Sequence, residues 1–218
     1  MEDLPAFRVD LAKFELPQAS VRMAPEVAGG SAVLGRGQSG VVYRTTLPGA
    51  TKRSPRRLAA VKMAKAVGGV VAFDDERAAL DAALLVEGLL LLGVRHQRIV
   101  GLVAIVSEST PAMLCTELMV NGDLKTYLRA CRPRNAEPKA EITPVVMHQM
   151  AARLASAMAF VSKRGIIHRD IAARNVLVGD TAIDVKLADL GAARDVLGAG
   201  GECVYLSLPM AMYSYRSW

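Results

Sequence analysis

The order of apolar patterns divides the 218 residues into a strand-rich first half and a mostly helical second half. Runs of strands followed by runs of helices are typical of α+β folds or of two separate units. We therefore predict an α+β architecture of two lobes. It comprises an irregular lead-in over residues 1–30, a first lobe over 31–116, a dividing segment over 117–122 and a second lobe over 123–218.

In the first half, β-rich runs alternate with turn residues. They predict strands over residues 33–34, 41–43, 58–63, 99–106 and 112–116, with one more short strand in the lead-in. A helix is predicted from Asp74, because Leu84, Glu87 and Leu91 recur with Leu80 on one helical face. Glu87 thus lies in an apolar stripe, where a carboxylate needs a cationic partner to offset its desolvation.

In the second half, a short helix is predicted over residues 124–130 and a long one over 144–164. Thr143 is a good N-cap, Pro144 suits the first helical position, and Gly165 is a good terminator. The apolar spacing predicts a buried face made of Val146, Met150, Leu154, Met158 and Val161. Short strands are predicted over residues 166–167, 176–178 and 183–187.

Composition restricts the class of protein. Apolar residues make up 52% and charged residues 22% of the chain, as in globular proteins. The longest uncharged stretch, residues 203–215, is too short for a membrane span and contains Pro209. The first residues lack the features of a secretory signal, so we expect a cytosolic chain. Cys115, Cys131 and Cys203 have neither zinc-site spacing nor a disulfide pattern and are expected to be reduced thiols.

The net charge of +6 and the pI of about 9.4 raise the question of nucleic-acid or membrane contact. Much of the excess lies in Lys52, Arg53, Arg56 and Arg57, beside proline and glycine residues. This clustering favours a solvated loop tip over a binding groove. A nucleic-acid-binding function would rest on the pI alone, and we predict no nucleic-acid partner.

Two features of the first half suggest phosphate chemistry. Gly35, Gly37, Gly40 and Val42 form the pattern G-x-G-x-x-G-x-V between two strands. Glycines let backbone N–H groups approach phosphate oxygens, although glycine-rich hairpins are common. Lys62 lies in an apolar strand, where a lone lysine usually occupies a solvated edge. Paired with Glu87, however, it would be held where its ammonium could contact phosphates.

The strongest pattern is His168-Arg169-Asp170, with Asn175 five residues and Asp189 nineteen residues after the aspartate. One carboxylate can accept a hydroxyl proton, and an amide with a second carboxylate can bind Mg²⁺ through oxygen. The alternative is that these are solvated polar residues on loops.

In this order the motifs resemble the catalytic domain of eukaryotic protein kinases, over roughly residues 33–209. Ala172-Ala173-Arg174 resembles the tyrosine-specific branch, because serine/threonine kinases usually carry a lysine two residues after the catalytic aspartate. Residues 117–129 are similar to the hinge and following helix of receptor tyrosine kinases of the insulin-receptor type. The resemblance therefore implies ATP and Mg²⁺ as cofactors and a protein substrate that carries a tyrosine.

Carried over by position, the resemblance implies a role for each matching residue. Asp170 would accept the hydroxyl proton with support from Arg174, Lys62 and Glu87 would complete the catalytic set, and Asn175 and Asp189 would bind Mg²⁺. Leu91, Leu102, His168 and Leu190 would stack as a spine. The ATP site would comprise Leu34, Gly35, Gly37, Gly40, Val42, Ala60, Lys62, Thr116, Glu117, Met119 and Leu177.

Some features depart from the family pattern. Lys62 and Glu87 are 25 residues apart, which implies an insertion around residues 67–73. Asp81 and Glu76 therefore remain alternative acids for the pair with Lys62. Leu190 replaces the usual phenylalanine. Tyr205 is either a phosphorylation site, with Arg169 and Arg194 as phosphate partners, or a packing residue. Tyr215-Arg216 stand where proline and glutamate are expected after residues 208–209.

Because the chain stops at Trp218, we expect the helices that complete such a domain to be missing and apolar surface to be exposed on the helix at 144–164. The predicted function is a protein-tyrosine kinase, in the cytosol or as the cytosolic part of a plasma-membrane receptor. The alternative is a truncated, non-catalytic nucleotide-binding or dominant-negative fragment. The kinase interpretation requires Lys62, Asp170, Asn175 and Asp189 to converge on one cleft between the lobes.

Overall fold

The computed structural model describes residues 11–23, 32–37, 40–49, 54–64, 74–133, 135 and 137–195. The chain forms two compact units. The first unit takes Met1–Arg95 and Gly101–Leu118, and the second takes His96–Val100 and Met119–Trp218. Both units contain helices and strands, which confirms the predicted α+β class.

The first unit is built on an antiparallel sheet. Its strands are β1 (Arg22–Met23), β2 (Val33–Arg36), β3 (Val41–Leu47), β4 (Arg57–Met63), β5 (Leu102–Val106) and β6 (Met113–Glu117). The strand order is β1-β3-β4-β6-β5, and β2 pairs with β3 beyond the end of β1. Two 3-10 turns, Leu11–Lys13 and Gln18–Ser20, precede β1. The short strand expected in the lead-in is therefore present as β1.

One face of this sheet forms an apolar core. Val61 lies opposite Tyr43 on β3 and Cys115 on β6, so their side chains project to the same side. The buried members of this core are Leu47, Ala59, Val61, Ala104, Val106, Met113 and Cys115. The alternation along β4 places Lys62 on the opposite face.

That opposite face packs against helix α1 (Asp74–Gly93). A Cβ on Gly88 would lie 2.9 Å from Leu114 and 3.1 Å from Ile105, so the absence of a side chain lets the helix approach the sheet closely. Leu84, Glu87 and Leu91 are buried, as their spacing predicts.

The second unit combines two helices with short strands. The helices are α2 (Leu124–Ala130) and α3 (Pro144–Lys163). The strands form two antiparallel pairs, β7 (Ile166–Ile167) with β10 (Arg194–Asp195) and β8 (Val176–Val178) with β9 (Val185–Leu187). The main core contains Tyr127, Cys131, Met150, Val176, Val178 and Val185.

Both helices of the second unit begin at side-chain caps. Asp123 accepts a hydrogen bond from the Thr126 N–H at 2.9 Å, and Thr143 accepts one from the Val146 N–H at 3.3 Å. Such caps satisfy backbone donors that have no partner within the helix. After α3, Gly165 adopts φ 69°, a conformation that glycine tolerates best. The predicted bounds of both helices are therefore confirmed.

The predicted strand over residues 99–106 is wrong as a single element. Ile99 bridges to Leu187, and the Val100 N–H donates to the Leu187 carbonyl within the second unit. Only Leu102–Val106 pairs with β6 in the first unit. Residues 99–100 and 102–106 are both largely apolar, so the run is continuous in the sequence. The hydropathy pattern therefore does not show that the two pieces pair with different strands.

The predicted buried face of α3 is partly wrong. Met150 and Val161 are buried, but Met158 is 40% exposed and Ala157 takes the buried position instead. Val145 and Met147 are also exposed, which confirms the expected apolar surface on this helix.

Arg56 and Arg57 of the basic loop are exposed, as expected for a solvated loop. The Arg56 guanidinium donates to the carbonyls of Ser20 and Thr46. Some of the sequence predictions concern residues that lie outside the described ranges. These are Lys52, Arg53, the predicted insertion at 67–73, Cys203, Tyr205 and the segments at 208–209 and 215–216. Within the described ranges, no helix is long and apolar enough to span a bilayer.

Cys115 and Cys131 are free, buried thiols, as expected for reduced cysteines. Burial raises the pKa of Cys115 to about 12, against a weaker lowering effect of Arg57. An unfolded thiol has a pKa of about 8.5. Keeping the thiol protonated therefore stabilises the fold below that pH, and the contribution is lost as the pH rises toward the folded-state pKa.

We predict that Cys115 resists alkylation by iodoacetamide at pH 8.5 in the folded chain and reacts readily in urea. Only the thiolate is nucleophilic, and burial disfavours it. Peptide mapping by mass spectrometry measures the labelling of this cysteine separately from the others. Equal labelling rates in buffer and urea would contradict the prediction.

Candidate active site

The glycine-rich turn connects β2 and β3, and the Gly37 N–H donates to the Gly40 carbonyl at 2.9 Å. A Cβ on Gly40 would lie 2.3 Å from the Met63 carbonyl oxygen, closer than any contact allows. A Cβ on Gly35 would meet nothing within 4 Å, and one on Gly37 would meet only the Gly40 carbonyl oxygen at 3.9 Å. Gly40 is thus required by packing, whereas the backbone at Gly35 and Gly37 is open to a ligand.

Lys62 and Glu87 form a buried ion pair in the first unit. Lys62 Nζ lies 2.7 Å from Glu87 Oε2, with the side chains 13% and 6% exposed. Lys62 therefore provides the cation that the apolar position of Glu87 predicts. The alternative acids do not take this role, because Asp81 lies 3.6 Å from Arg77 and Glu76 is exposed.

The sheet places other predicted ATP-site residues beside this pair. Val42 lies opposite Lys62, and Ala60 lies opposite Thr116, two residues along the ladder. Side chains at such positions project from one face. Leu34 is 46% exposed and falls at the irregularity between β2 and β3.

In the second unit, Asp170 accepts hydrogen bonds from two side chains. Arg174 Nη2 donates to Oδ1 at 2.5 Å, and Asn175 Nδ2 donates to Oδ2 at 2.7 Å. The 3-10 turn Ala173–Asn175 positions both donors. The Asp170 carboxylate is thus oriented through both oxygens, while its side chain stays 37% exposed and accessible to a substrate hydroxyl.

Asn175 and Asp189 meet at the same end of the β8–β9 pair. Val176 pairs with Leu187, and one residue further the Ala188 N–H donates to the Asn175 carbonyl at 2.8 Å. Asp189 follows directly, with φ 61°. The hairpin therefore brings together two residues that are separated by fourteen positions in sequence.

These two residues fit a hard cation such as Mg²⁺. Among the described residues, Asn175 forms its side-chain hydrogen bonds through the amide nitrogen, one to the Asp170 carbonyl and one to the Asp170 carboxylate, which leaves the amide oxygen for a ligand. Together with the Asp189 carboxylate it gives the oxygen donors that Mg²⁺ prefers. No cluster of three or more His, Cys, Asp or Glu occurs in the described part of the chain, so an all-protein metal cage is absent there.

His168 is buried behind this site and joins its two sides. Its Nε2 lies 3.1 Å from the Ala188 carbonyl, and its Nδ1 accepts from the Asp170 N–H at 3.3 Å. Since Nδ1 accepts, Nε2 carries the proton and donates. Both ring nitrogens of His168 therefore form hydrogen bonds with backbone groups. Leu190 and Leu91 are buried in their respective units, and the predicted spine through Leu102 stays a prediction.

The hinge residues are anchored separately in the two units. In the first, the Glu117 N–H donates to the Gly101 carbonyl, and the Glu117 carboxylate accepts from the Gly101 N–H. In the second, Met119 packs with Val100, Leu177 and Ala188, and its carbonyl accepts from the Gly122 N–H. The Met119 N–H has no protein acceptor among the described residues, which leaves it available to a ligand.

Comparison with known proteins decides the family. A model of the protein tyrosine and serine/threonine kinase family matches residues 30–204. The chain belongs to this family. The kinase fold accounts for the antiparallel sheet with α1 in the first unit and the mostly helical second unit, as predicted.

Among known kinases, the chain is 31% identical over 186 residues to the insulin-like growth factor 1 receptor of Xenopus laevis, and 31% identical over 188 residues to its insulin receptor. Each match covers 84% of this chain but only 12% of the receptor. It is also 38% identical over 114 residues to tyrosine-protein kinase ABL2 of Homo sapiens, covering 52% of this chain and 9% of that protein.

The sequence interpretation did not predict that Ala188 contributes to this candidate site. Its N–H and carbonyl bind Asn175 and His168, respectively. Both contacts use backbone atoms, so no side chain signals them. Only the position of Ala188 directly before Asp189 could have indicated it.

We predict that Glu87→Ala lowers the free energy of unfolding of the full chain by about 3 kcal/mol, because it removes the carboxylate that lies 2.7 Å from the buried Lys62 ammonium. The double variant Lys62→Met/Glu87→Leu is expected to lose less, since both charges of the pair are removed together. Urea denaturation measures both. Glu76→Ala on the exposed side of α1 is the matched control and should change little; additive losses in the double variant would contradict the prediction.

We predict that Gly40→Ala lowers the free energy of unfolding by roughly 1–3 kcal/mol through overpacking against Met63. Gly35→Ala is the matched control, because its methyl group meets open space. Thermal unfolding without nucleotide compares the two variants with the parent chain. Equal melting temperatures for both variants would show that the close approach at Gly40 is absent.

Proposed function

We propose that this chain is the catalytic part of a protein-tyrosine kinase, which transfers the γ-phosphate of ATP to a tyrosine hydroxyl of a protein substrate. The observation that carries the proposal is the Asp170 carboxylate, which is held by Arg174 and Asn175 and remains partly exposed. A carboxylate oriented in this way can position a hydroxyl group and accept its proton as the phosphate is transferred.

In the proposed reaction, the predicted ATP-site residues contact the nucleotide as follows. Gly35 and Gly37 offer open backbone for the phosphates, and Lys62, held by Glu87, contacts the α- and β-phosphates. The hinge backbone at Glu117 and Met119 binds the adenine edge, with Thr116 as the gatekeeper residue. Leu34, Val42, Ala60 and Leu177 supply its apolar contacts.

Asn175 and Asp189 would hold Mg²⁺ through their side-chain oxygens. When bound, Mg²⁺ neutralises charge on the phosphate oxygens. The chain's own contribution is orientation: the Ala188 backbone fixes Asn175 and His168, and Asn175 fixes Asp170. The proposed catalysis is therefore mainly positioning and charge stabilisation.

Specificity for tyrosine is supported by the catalytic loop and by the relatives. Ala172 stands where serine/threonine kinases usually carry a lysine, and Arg174 is 61% exposed beside Asp170, where it can contact an incoming substrate. The similar proteins include two receptors and a tyrosine-protein kinase. By analogy with those receptors, we place this kinase on the cytosolic side, alone or as part of a longer protein.

We predict that Asp170→Asn lowers the kcat for phosphorylation of a tyrosine peptide at least ~100-fold, while nucleotide affinity changes little, because the amide cannot accept the proton. Radiolabelled ATP with Mg²⁺ measures the transfer, and calorimetry measures nucleotide binding. Asp180→Asn, an exposed acid after β8, is the matched control and should retain activity. The same peptide with serine in place of tyrosine tests specificity.

Full activity in Asp170→Asn would overturn the role of Asp170. Nucleotide binding by the parent chain without any phosphate transfer would select the alternative function, a non-catalytic nucleotide-binding or dominant-negative module. Equal transfer to the serine peptide would keep the kinase assignment and remove the tyrosine specificity.

A further inference from the structure

The second unit contains a concave site that the proposed kinase reaction does not use. It has a volume of about 240 Å³ and is lined by His96, Gln97, Arg98, Ala152, Arg153 and Ser156. We call it the α3 pocket. None of its residues belongs to the catalytic loop at 168–175 or to the predicted ATP site. Residues 96–98 form one wall, and the middle of α3 forms the other.

The α3 pocket is cationic. Arg98 and Arg153 both line it, and none of its lining residues is acidic. Arg98 has an acidic partner, Asp184, but at 3.4 Å this contact is longer than a strong charge-assisted hydrogen bond. Arg153 has no ion pair or side-chain hydrogen bond among the described residues. Two arginines therefore line one concavity, and only Arg98 has a carboxylate partner among the described residues.

The walls of the α3 pocket are fixed by contacts outside it. The His96 ring stacks on Phe160 with centroids 4.6 Å apart, and Arg164 lies over the same ring at 3.8 Å. His96 Nδ1 also accepts from the Arg98 N–H at 3.1 Å. These contacts position Arg98 relative to α3 without using the guanidinium group of Arg98 or of Arg153.

The helix presents its polar groups on the same side. Arg153, Ser156 and Phe160 are three and four residues apart, which places them on one face of α3. Phe160 anchors His96, and the other two residues line the pocket. The Ser156 hydroxyl and the Gln97 amide add hydrogen-bond donors to the guanidinium groups.

We propose that the α3 pocket binds a phosphate-type oxyanion and that Arg153 is the principal charged residue in contact with it. Guanidinium groups match phosphate oxygens in paired hydrogen bonds, and an anion would relieve the repulsion between the two arginines. The volume lies below the ~300 Å³ at which pockets begin to enclose drug-sized ligands. The pocket therefore suits a single phosphate group, either free or on a phosphorylated side chain, better than a nucleotide.

The test is a titration of the full chain with inorganic phosphate at constant ionic strength, with chloride as the balancing anion. The Nε–Hε resonance of Arg153 in NMR spectra reports binding directly. We expect a saturable shift of that resonance and a rise in melting temperature beyond that in chloride. Arg153→Gln should weaken the melting-temperature response at least ~10-fold. Lys163→Gln, which removes one positive charge from α3 outside the pocket, should leave it unchanged.

A second titration with O-phosphoserine distinguishes the two sources of the anion. Tighter binding than inorganic phosphate assigns the site to a phosphorylated side chain, and equal or weaker binding assigns it to free phosphate. A linear, non-saturating shift, or equal responses of Arg153→Gln and Lys163→Gln, would overturn the proposal. Because these readouts require neither ATP nor phosphate transfer, their failure is independent of the kinase activity.

Discussion

The backbone of Ala188 is the connection on which the second-unit part of the site depends. Its N–H binds the Asn175 carbonyl and its carbonyl accepts from His168, so one residue ties together both sides of the hairpin. His168 in turn accepts from the Asp170 N–H. A shift of the β9 strand would therefore move the candidate base and the candidate metal ligands together. The geometry of the site therefore depends on the register of the β8–β9 pair as well as on the individual side chains.

Local signals were sufficient to predict the helices. Thr143 and Pro144 define the start of α3, and a break at residues 121–123 precedes α2, because capping and turn preferences act within a few residues. The failures required non-local information. Ile99 and Val100 pair with β9 across almost ninety residues, and Ala157 replaces Met158 in the core because of the way α3 is rotated against its neighbours. Neither fact can be read from hydropathy alone.

The same distinction holds for the candidate site. The Lys62–Glu87 pair was predictable, because a carboxylate in an apolar stripe needs a cation and an apolar strand supplied one. The different status of Gly35 and Gly40 was not, since it depends on the distance from each backbone position to Met63. The α3 pocket also has no sequence signature. Its arginines lie 55 positions apart and meet only because residues 96–100 fold with the second unit.

The path of the chain has a consequence for dissecting this protein. It passes from one unit to the other after Arg95, after Val100 and after Leu118, so the units are interleaved in sequence. Cutting at the hinge would leave residues 96–100 on the wrong fragment and deprive β9 of its partners at Arg98 and Val100. The second unit is thus completed by a piece of chain that precedes two strands of the first. Neither side of the hinge contains a complete unit. Co-expressed fragments would therefore have to associate before either unit could fold completely.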